Sequence, residues 1–196
     1  IALGESNLVN ISGIEALFWN PAGVSHMQNT ADVLFSHMSY IADIGVEYGA
    51  VAANFEGFGT LSLSIKSLAI GDIAVTTTQN PDGTGEFFSP TYVTAGLSYS
   101  RMLTDAISVG LTGNFISERM ASVSATGFAF DFGIIYQNLA DINGLNIGVV
   151  LKNLGPDMKF DGSGLYYEGQ LTGQNRPPTL YKVDSAPFEM PFNFQL

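Results

Sequence analysis

Few residues of this chain have side chains suited to catalysis or metal binding. The 196 residues include no cysteine and only 2 histidines, His26 and His37. Without cysteine there is no disulfide framework, thiol nucleophile or thiolate metal site. Neither histidine has a carboxylate in the spacing of a zinc protease motif. We therefore interpret both histidines as ordinary polar residues and predict no cofactor and no metal centre.

Two acidic pairs leave calcium open as an alternative. Asp82 with Glu86, and Asp157 with Asp161, could offer the carboxylate oxygens that calcium prefers. An isolated Asp-Gly pair more commonly just bends the chain. The sequence therefore predicts turns at both places.

Hydroxyl side chains are plentiful, but no recognisable motif makes one of them a nucleophile. They include Ser36, Ser62, Ser64, Thr94 and Ser98. None lies in a Gly-x-Ser-x-Gly elbow or has a clear order of His and Asp partners. One enzyme class to consider is a membrane β-barrel with phospholipase activity. Such an enzyme would need an activated serine and histidine on its lipid-facing surface, and His37 with a nearby hydroxyl is the one candidate. We expect the protein not to be an enzyme.

The composition indicates little charged surface and an acidic balance. Charged residues make up 13% of the sequence, against roughly 25% in an ordinary soluble domain, and the mean hydropathy is +0.22. The net charge of −11 opposes binding to a phosphate backbone, so no nucleic-acid partner is expected. No apolar run reaches the roughly 18 residues of a transmembrane helix.

Apolar and polar residues alternate along much of the chain, as in β-strands with one apolar face. In Thr60–Lys66, three apolar residues on one face oppose Ser, Thr and Lys on the other. The same period predicts strands at 33–40, 46–55, 92–99, 108–115, 128–136 and 145–152, and the start of another at 190–196. The sequence thus predicts an all-β fold.

Alternation alone fits both a membrane barrel and a soluble β-sandwich. The polar faces carry mostly Ser, Thr, Gly and Asn, which favours a crowded polar lumen over contact with bulk water. Short turns alternate with the long segments 69–89 and 153–188, as in outer-membrane barrels. We predict a transmembrane antiparallel β-barrel, with the soluble sandwich as the alternative.

Aromatic residues provide a further sign of a membrane barrel. Those expected near strand ends, where an interfacial girdle would lie, are Tyr48, Phe55, Tyr99, Phe115 and Tyr136.

The first 30 residues differ from the rest because their apolar residues follow no strand-like order. Ile14–Trp19 predicts a short helix that ends before Pro21. The segment has too much apolar surface to remain in water at roughly 25 cal/mol per Å², so we expect it to pack inside the barrel. Asn20, Pro21 and Ala22 are expected to form a rigid corner, with the Asn20 amide pairing to backbone groups.

The stretch Glu15–Gly23, EALFWNPAG, resembles the N-terminal signature of the PorV/PorQ family of outer-membrane proteins, which are relatives of the fatty-acid transporter FadL. Later segments are similar to the family in the same order. They are AIGDI at 69–73, GTGEFF at 83–88, GLSYS at 96–100, GFAFD at 127–131, NLGP at 153–156 and FDG at 160–162.

The resemblance implies a FadL-like barrel of roughly fourteen strands in the bacterial outer membrane. This chain would cover about the first half. Residues 1–30 would form a hatch inside the lumen, and 31–196 would form the first seven strands and the start of the eighth. The hatch motif would be Trp19, Asn20, Pro21 and Ala22.

The resemblance also implies a function. PorV-like members serve the type IX secretion system by holding exported proteins and associating with the translocon. We therefore expect a secretion accessory that contacts outer-membrane lipid and binds protein partners through its long loops, since loops beyond about 15 residues are usually functional. The candidate contacts are Phe87, Phe88, Tyr166 and Tyr167. The alternative is a FadL-like channel for hydrophobic small molecules.

Overall fold

A computed structural model describes residues 7–40, 44–169 and 177–196 of the chain. It consists mostly of antiparallel β-strands with almost no helix, which confirms the prediction of an all-β fold. Among these residues, no helix has the length and apolar character needed to cross a membrane.

Seven long strands form the body of the structure, at the places where the sequence alternates. The seven are β1 (Ala31–Ser39), β2 (Gly45–Phe55), β3 (Gly59–Ala69), β6 (Thr91–Met102), β7 (Ile107–Met120), β8 (Val123–Tyr136) and β9 (Ile147–Leu154). The shorter strands are β4 (Ile73–Ala74), β5 (Phe87–Phe88), β10 (Asp161–Gly162), β11 (Tyr166–Gly169), β12 (Thr179–Lys182) and β13 (Asn193–Gln195). Short 3₁₀ helices lie at Ile14–Phe18, Pro21–His26, Leu139–Asp141 and Ser163–Leu165.

The main sheet has the strand order β1-β2-β3-β6-β7-β8-β9-β13, and every pair in it is antiparallel. β10 pairs with β8, while β4–β5 and β11–β12 form two separate hairpins. Each hairpin lies within one of the two long segments between main strands.

The two faces of the main sheet differ sharply. One face, here called the covered face, carries buried side chains that are mostly small or hydroxyl-bearing, with Ile135 and Val150 as larger apolar members. They are Ala50, Ala52, Thr60, Ser62, Ser98, Ser100, Ser108, Thr112, Ala129, Ile135 and Val150. The sequence pattern had marked most of them as the polar side of their strands.

The opposite face, here called the exposed face, is apolar and uncovered. Its side chains are Val33, Phe35, Val51, Leu61, Leu63, Ile65, Leu97, Leu111, Phe115, Phe128, Phe130, Phe132 and Ile134. The strand register aligns Val33, Val51, Leu63, Leu97, Gly113 and Phe130 in one row across six strands. Val33 is 78% exposed and Phe35 74% exposed, so nothing in the described chain shields this row.

The connections lie at the two opposite ends of the strands, and each of these ends is called an edge below. Because neighbouring strands are antiparallel, residues 56–58, 103–106 and 137–146 lie at one edge, here called the short-turn edge. The segments 70–90 and 155–192 both lie at the opposite, long-loop edge, although residues 170–176 are outside the described part.

The aromatic residues expected near strand ends divide into two groups. Phe55, Tyr99 and Tyr136 lie toward the short-turn edge, and the Tyr99 hydroxyl donates a hydrogen bond to the carbonyl of Phe58 at 2.6 Å. Tyr48 lies near the start of β2 but packs on the covered face, so it could not belong to an outward-facing girdle. The expected position near a strand end was wrong for Phe115, which lies well inside β7. Periodicity assigns a residue to a face of a strand, but it does not say how far along the strand the residue lies.

Candidate functional site

The N-terminal segment lies along the covered face, toward the short-turn edge. Its first 3₁₀ helix, Ile14–Phe18, packs against β1 and β2, and its second, Pro21–His26, packs against β6, β7 and β8. The apolar cluster beneath them consists of Ile14, Ala16, Leu17, Val24, Met27, Ala50 and Ala52. Residues 1–6 of the expected hatch lie outside the described part of the chain.

Asn20 joins the two short helices and is 1% exposed. Its side-chain oxygen accepts a hydrogen bond from the Ala22 amide at 3.0 Å, which caps the second helix. Its side-chain nitrogen donates to the Ile134 carbonyl on β8 at 3.3 Å. Asn20 itself is extended, with φ −144° and ψ 112°, as expected before Pro21. The Asn20 side-chain amide thus stabilises the corner between the two helices and links the segment to β8.

Two glycines form the seat beneath this corner. Gly110 on β7 and Gly133 on β8 stand directly opposite each other in the register. A side chain at Gly110 would overlap the backbone of Pro21 and Ala22, and one at Gly133 would overlap the Asn20 side chain. The backbone of the corner therefore reaches the sheet only because both positions lack a β-carbon.

Phe18 connects strands that are far apart in the sheet order. Its ring lies 6.0 Å from the Tyr48 ring on β2 and 5.4 Å from Lys152 Nζ on β9. Lys152 Nζ also donates a hydrogen bond to the Phe18 carbonyl. Trp19 packs edge-on against Phe18, with ring centres 5.2 Å apart, and is half-buried.

Hydroxyl groups form the floor beneath the second helix. Ser98 Oγ and Thr112 Oγ1 are hydrogen-bonded at 2.7 Å, whereas the buried oxygens of Ser62 and Ser100 have no partner among the described residues. Both belong to the kind of buried polar group that ordered water commonly satisfies. The N-terminal segment therefore rests partly on an apolar cluster and partly on a polar floor.

His26 ends the second helix and contacts this floor. Its Nε2 atom lies 2.7 Å from the hydroxyl oxygen of Ser108, which is fully buried. Burial lowers the pKa of His26 from its ordinary value near 6.5. The neutral imidazole is therefore the form that suits the docked segment.

The second long segment folds back onto the covered face near the long-loop edge. Met158 is buried against Ala125 and Ala129 of β8, together with Met190 from the end of the segment. A two-way backbone pairing joins Met158 and Phe188, at 2.9 and 2.8 Å. The described parts of residues 155–192 are thus anchored at both ends.

The aromatic loop residues expected to bind partners lie on the two small hairpins. Phe87 is 64% exposed and pairs with Ala74, while Phe88 is half-buried. Tyr166 and Tyr167 lie on β11 and are 45% and 59% exposed. Tyr181 stands opposite Tyr167 in the register and is also exposed, so this hairpin offers more aromatic surface than the sequence indicated.

One ion pair stabilises the base of the β11–β12 hairpin. Lys182 Nζ lies 2.7 Å from Asp161 Oδ1 and 5.9 Å from the centre of the Tyr166 ring. The hydrogen bond between them lowers the pKa of Asp161 and raises the pKa of Lys182. Asp161, one of the carboxylates considered for calcium, is therefore engaged by a lysine. The described residues contain no group of three or more His, Asp or Glu side chains that could hold a metal ion.

The structure separates the two sets of candidate residues. Trp19, Asn20, Pro21 and Ala22 lie together toward the short-turn edge, whereas the aromatic hairpins follow strand ends at the long-loop edge. Sequence reasoning missed Gly110, Gly133 and Ser108 as the seat of the N-terminal segment. Their only signal was a place on the polar side of a strand, which does not reveal a contact with residues about 80 to 110 positions away.

Comparison with protein-family models gave no match for the chain, and neither did a search of curated proteins.

Proposed function

We propose that this chain is part of an outer-membrane β-barrel of the PorV/PorQ kind, and that it acts as a secretion accessory. In this proposal the exposed face contacts lipid, the N-terminal segment is a hatch in the lumen, and the long loops bind exported proteins or the translocon. Such a role requires no catalysis by the barrel.

The exposed apolar face is the observation that carries the membrane part of the proposal. Soluble monomers rarely expose contiguous apolar patches beyond a few hundred Å², whereas this face extends over the long strands of the sheet. A barrel wall in lipid has an apolar exterior and a polar interior, in the same arrangement as these two faces.

The spacing of the charges supports the same placement. On β6 and β7, the exposed face carries Arg101 toward the short-turn edge and Arg119 toward the long-loop edge, and the exposed-face residues between them are uncharged. Ten residues separate Arg119 from Val109, the register partner of Arg101. That is about 33 Å along the strand, or about 25 Å of height at the tilt of a membrane barrel, which is the usual height of the apolar band.

Curvature supports closure into a barrel. In a flat sheet β2 and β9 would lie about 24 Å apart, since five strand spacings of about 4.8 Å separate them. Tyr48 and Lys152 nevertheless both reach the Phe18 ring. The sheet therefore bends around the N-terminal segment, and we propose that further strands complete the barrel.

The long-loop edge supports the partner-binding part. The segments 70–90 and 155–192 have net charges of −3 and −2, and exposed aromatic side chains project from their hairpins. Aromatic anchors surrounded by polar residues are typical of protein interfaces. The transport alternative would need an apolar passage beside the hatch, and the hydroxyl floor at Ser62, Ser98 and Ser100 makes that less favourable.

Co-purification from native outer membranes tests the proposal. We expect secretion-system components or exported proteins to accompany the wild-type protein, and to be lost when Tyr167 and Tyr181 are replaced by Ala. Phe58→Ala is the matched control, because Phe58 is similarly exposed but lies at the short-turn edge. Recovery of lipid alone would contradict the secretion role, and an acyl chain bound beside Trp19 would favour the transport channel instead.

A further inference from the structure

A hydrogen-bonded chain of three side chains lies on the exposed face where β1 approaches the long-loop edge. Ser39 Oγ is 3.0 Å from His37 Nε2, and His37 Nδ1 is 2.6 Å from Glu47 Oε1. All three residues are exposed to solvent in the structure. The order hydroxyl, imidazole and carboxylate is that of a Ser-His-acid triad, in which each imidazole nitrogen has one partner.

The strand geometry, and not only the side-chain rotamers, brings these residues together. His37 and Ser39 are two positions apart on β1, so their side chains leave the same face of the strand. Glu47 is the direct register partner of His37 on β2. A His-x-Ser sequence with a carboxylate opposite the histidine therefore assembles the triad within one hairpin.

The carboxylate also determines which nitrogen carries the proton. Ionised Glu47 can only accept a hydrogen bond, so in the neutral imidazole of His37 the proton belongs on Nδ1. Nε2 is then left with a lone pair aimed at the hydroxyl of Ser39. This is the tautomer that a general base needs in order to take a proton from serine.

There is room for a substrate beside the hydroxyl. Ser39 faces Gly45 across the strand pair, and a β-carbon at Gly45 would meet no atom of the described residues within 4 Å. Below the triad on the same face lie Phe35 and Val33, both largely exposed. A molecule with a polar ester and an apolar chain would place its ester at Ser39 and its chain along these two residues.

We propose that Ser39, His37 and Glu47 form a hydrolytic site for acyl esters of lipids. The Ser39 oxygen attacks the ester carbonyl carbon while its proton passes to His37 Nε2. The carbon–oxygen bond to the alcohol then breaks, and His37 returns the proton to the departing alcohol. A water molecule then gives a proton to His37 Nε2 and attacks the acyl carbon, the bond from that carbon to Ser39 Oγ breaks, and His37 returns the proton to Ser39 Oγ as the carboxylic acid leaves. The products are one acid and one alcohol, Ser39 and His37 are the catalytic residues, and Glu47 is a positioning residue.

The triad itself does not depend on the proposed secretion role, but the lipid substrate rests on the proposed membrane placement. The test therefore uses two probes on the purified, folded protein in detergent micelles. A fluorophosphonate probe reports a nucleophilic serine directly, with the modified residue identified by mass spectrometry. Release of fatty acid from phosphatidylglycerol in mixed micelles reports the lipid esterase activity.

We expect the probe to modify Ser39 and the protein to release fatty acid. Ser39→Ala should abolish both, and His37→Gln should reduce both by about a hundredfold, the usual contribution of a general base. Glu47→Gln should lower kcat for the ester while leaving KM unchanged, because Glu47 acts only through the orientation and the tautomer of the imidazole. Gly45→Val should reduce hydrolysis of the bulky lipid by filling the open space beside Ser39.

Ser67→Ala is the matched control, since Ser67 is the register partner of Glu47 on β3. It should leave both readouts unchanged. The proposal is overturned if Ser39 is not modified, if Ser39→Ala releases fatty acid as fast as wild type, or if Ser67→Ala has the same effect as Ser39→Ala. If Ser39 is not modified and no fatty acid is released while protein partners still co-purify, the esterase proposal fails and the secretion role is unaffected. If the esterase readouts are positive but no partner co-purifies, the secretion role fails and the esterase proposal is unaffected.

Discussion

At the scale of single residues, Asn20 is the most connected member of the N-terminal segment. Its side chain caps the second helix and bonds to β8. Loss of a cap of this kind costs about 1 kcal/mol. We therefore expect Asn20→Ala to loosen the segment without unfolding the sheet, whose strand pairing does not involve that side chain. Protease cleavage within residues 7–30 and conductance in planar bilayers should both rise.

Asn10→Ala is the control for that experiment, because Asn10 is an exposed residue of the same segment. Equal effects of the two substitutions would show that Asn20 has no special role in docking. A segment that is already cleaved freely in the wild type would contradict the docked arrangement itself.

His26 makes the docking of the same segment sensitive to pH. Burial lowers its pKa in the folded state, whereas the unfolded value is about 6.5. The docked state therefore has its full stability above about pH 6.5 and loses this contribution as pH falls through the lower folded-state pKa. Protease accessibility of the segment should increase on acidification, and His26→Gln should flatten the response. An unchanged acid response in that variant would show that His26 does not cause the effect.

At the scale of elements, Gly110 on β7 and Gly133 on β8 determine whether the N-terminal segment can pack closely against the covered face. A methyl group at Gly110 would overlap the backbone of Pro21 and Ala22. Overpacking of this kind typically costs 1–3 kcal/mol. We expect Gly110→Ala to displace the segment, as measured by hydrogen exchange of residues 20–26.

Gly113→Ala provides the matched control on the same strand. Gly113 faces the exposed side, and a β-carbon there would meet only the Phe130 ring, at an ordinary 3.7 Å. Unaltered exchange in Gly113→Ala together with faster exchange in Gly110→Ala would support the seat. Equal exchange in both variants would mean that strand flexibility, and not the close approach, controls docking.

The elements also show what the sequence could and could not predict. Strand periodicity located all seven long strands and their faces, as in Thr60–Lys66, because the alternation is a local property of the chain. It could not place Phe115 relative to the strand ends, and it missed the two-residue strands β4 and β5, which are too short to show a period. The seat of the N-terminal segment depends on contacts between distant parts of the chain, and a single sequence does not encode these in any pattern.

At the scale of the whole molecule, the decisive question is what covers the exposed face. Residues 7–30 of the N-terminal segment pack on the covered face, and the described part of residues 155–192 adds its Met158 cluster to that same face. Both elements thus bury the small and hydroxyl side of the sheet and leave the larger apolar side open. In water this arrangement would expose Leu, Phe and Val side chains across six strands, at a cost of roughly 25 cal/mol per Å². Lipid removes that cost, which makes the bilayer an integral part of the proposed fold.

An exposed face in contact with lipid should respond to introduced charge according to its depth in the bilayer. Leu97 lies in the central row, opposite Gly113. Ser117 lies near the long-loop edge, two residues before Arg119 on β7. In a membrane barrel an arginine at the midplane costs about 2–4 kcal/mol, and one near the interface costs about 0–1 kcal/mol. Leu97→Arg should therefore lower the free energy of unfolding in lipid vesicles by the larger amount, and Ser117→Arg by the smaller, as measured by denaturant titration. If Leu97→Arg leaves stability unchanged and makes the protein soluble without detergent, the exposed face does not contact lipid, and the membrane placement is wrong.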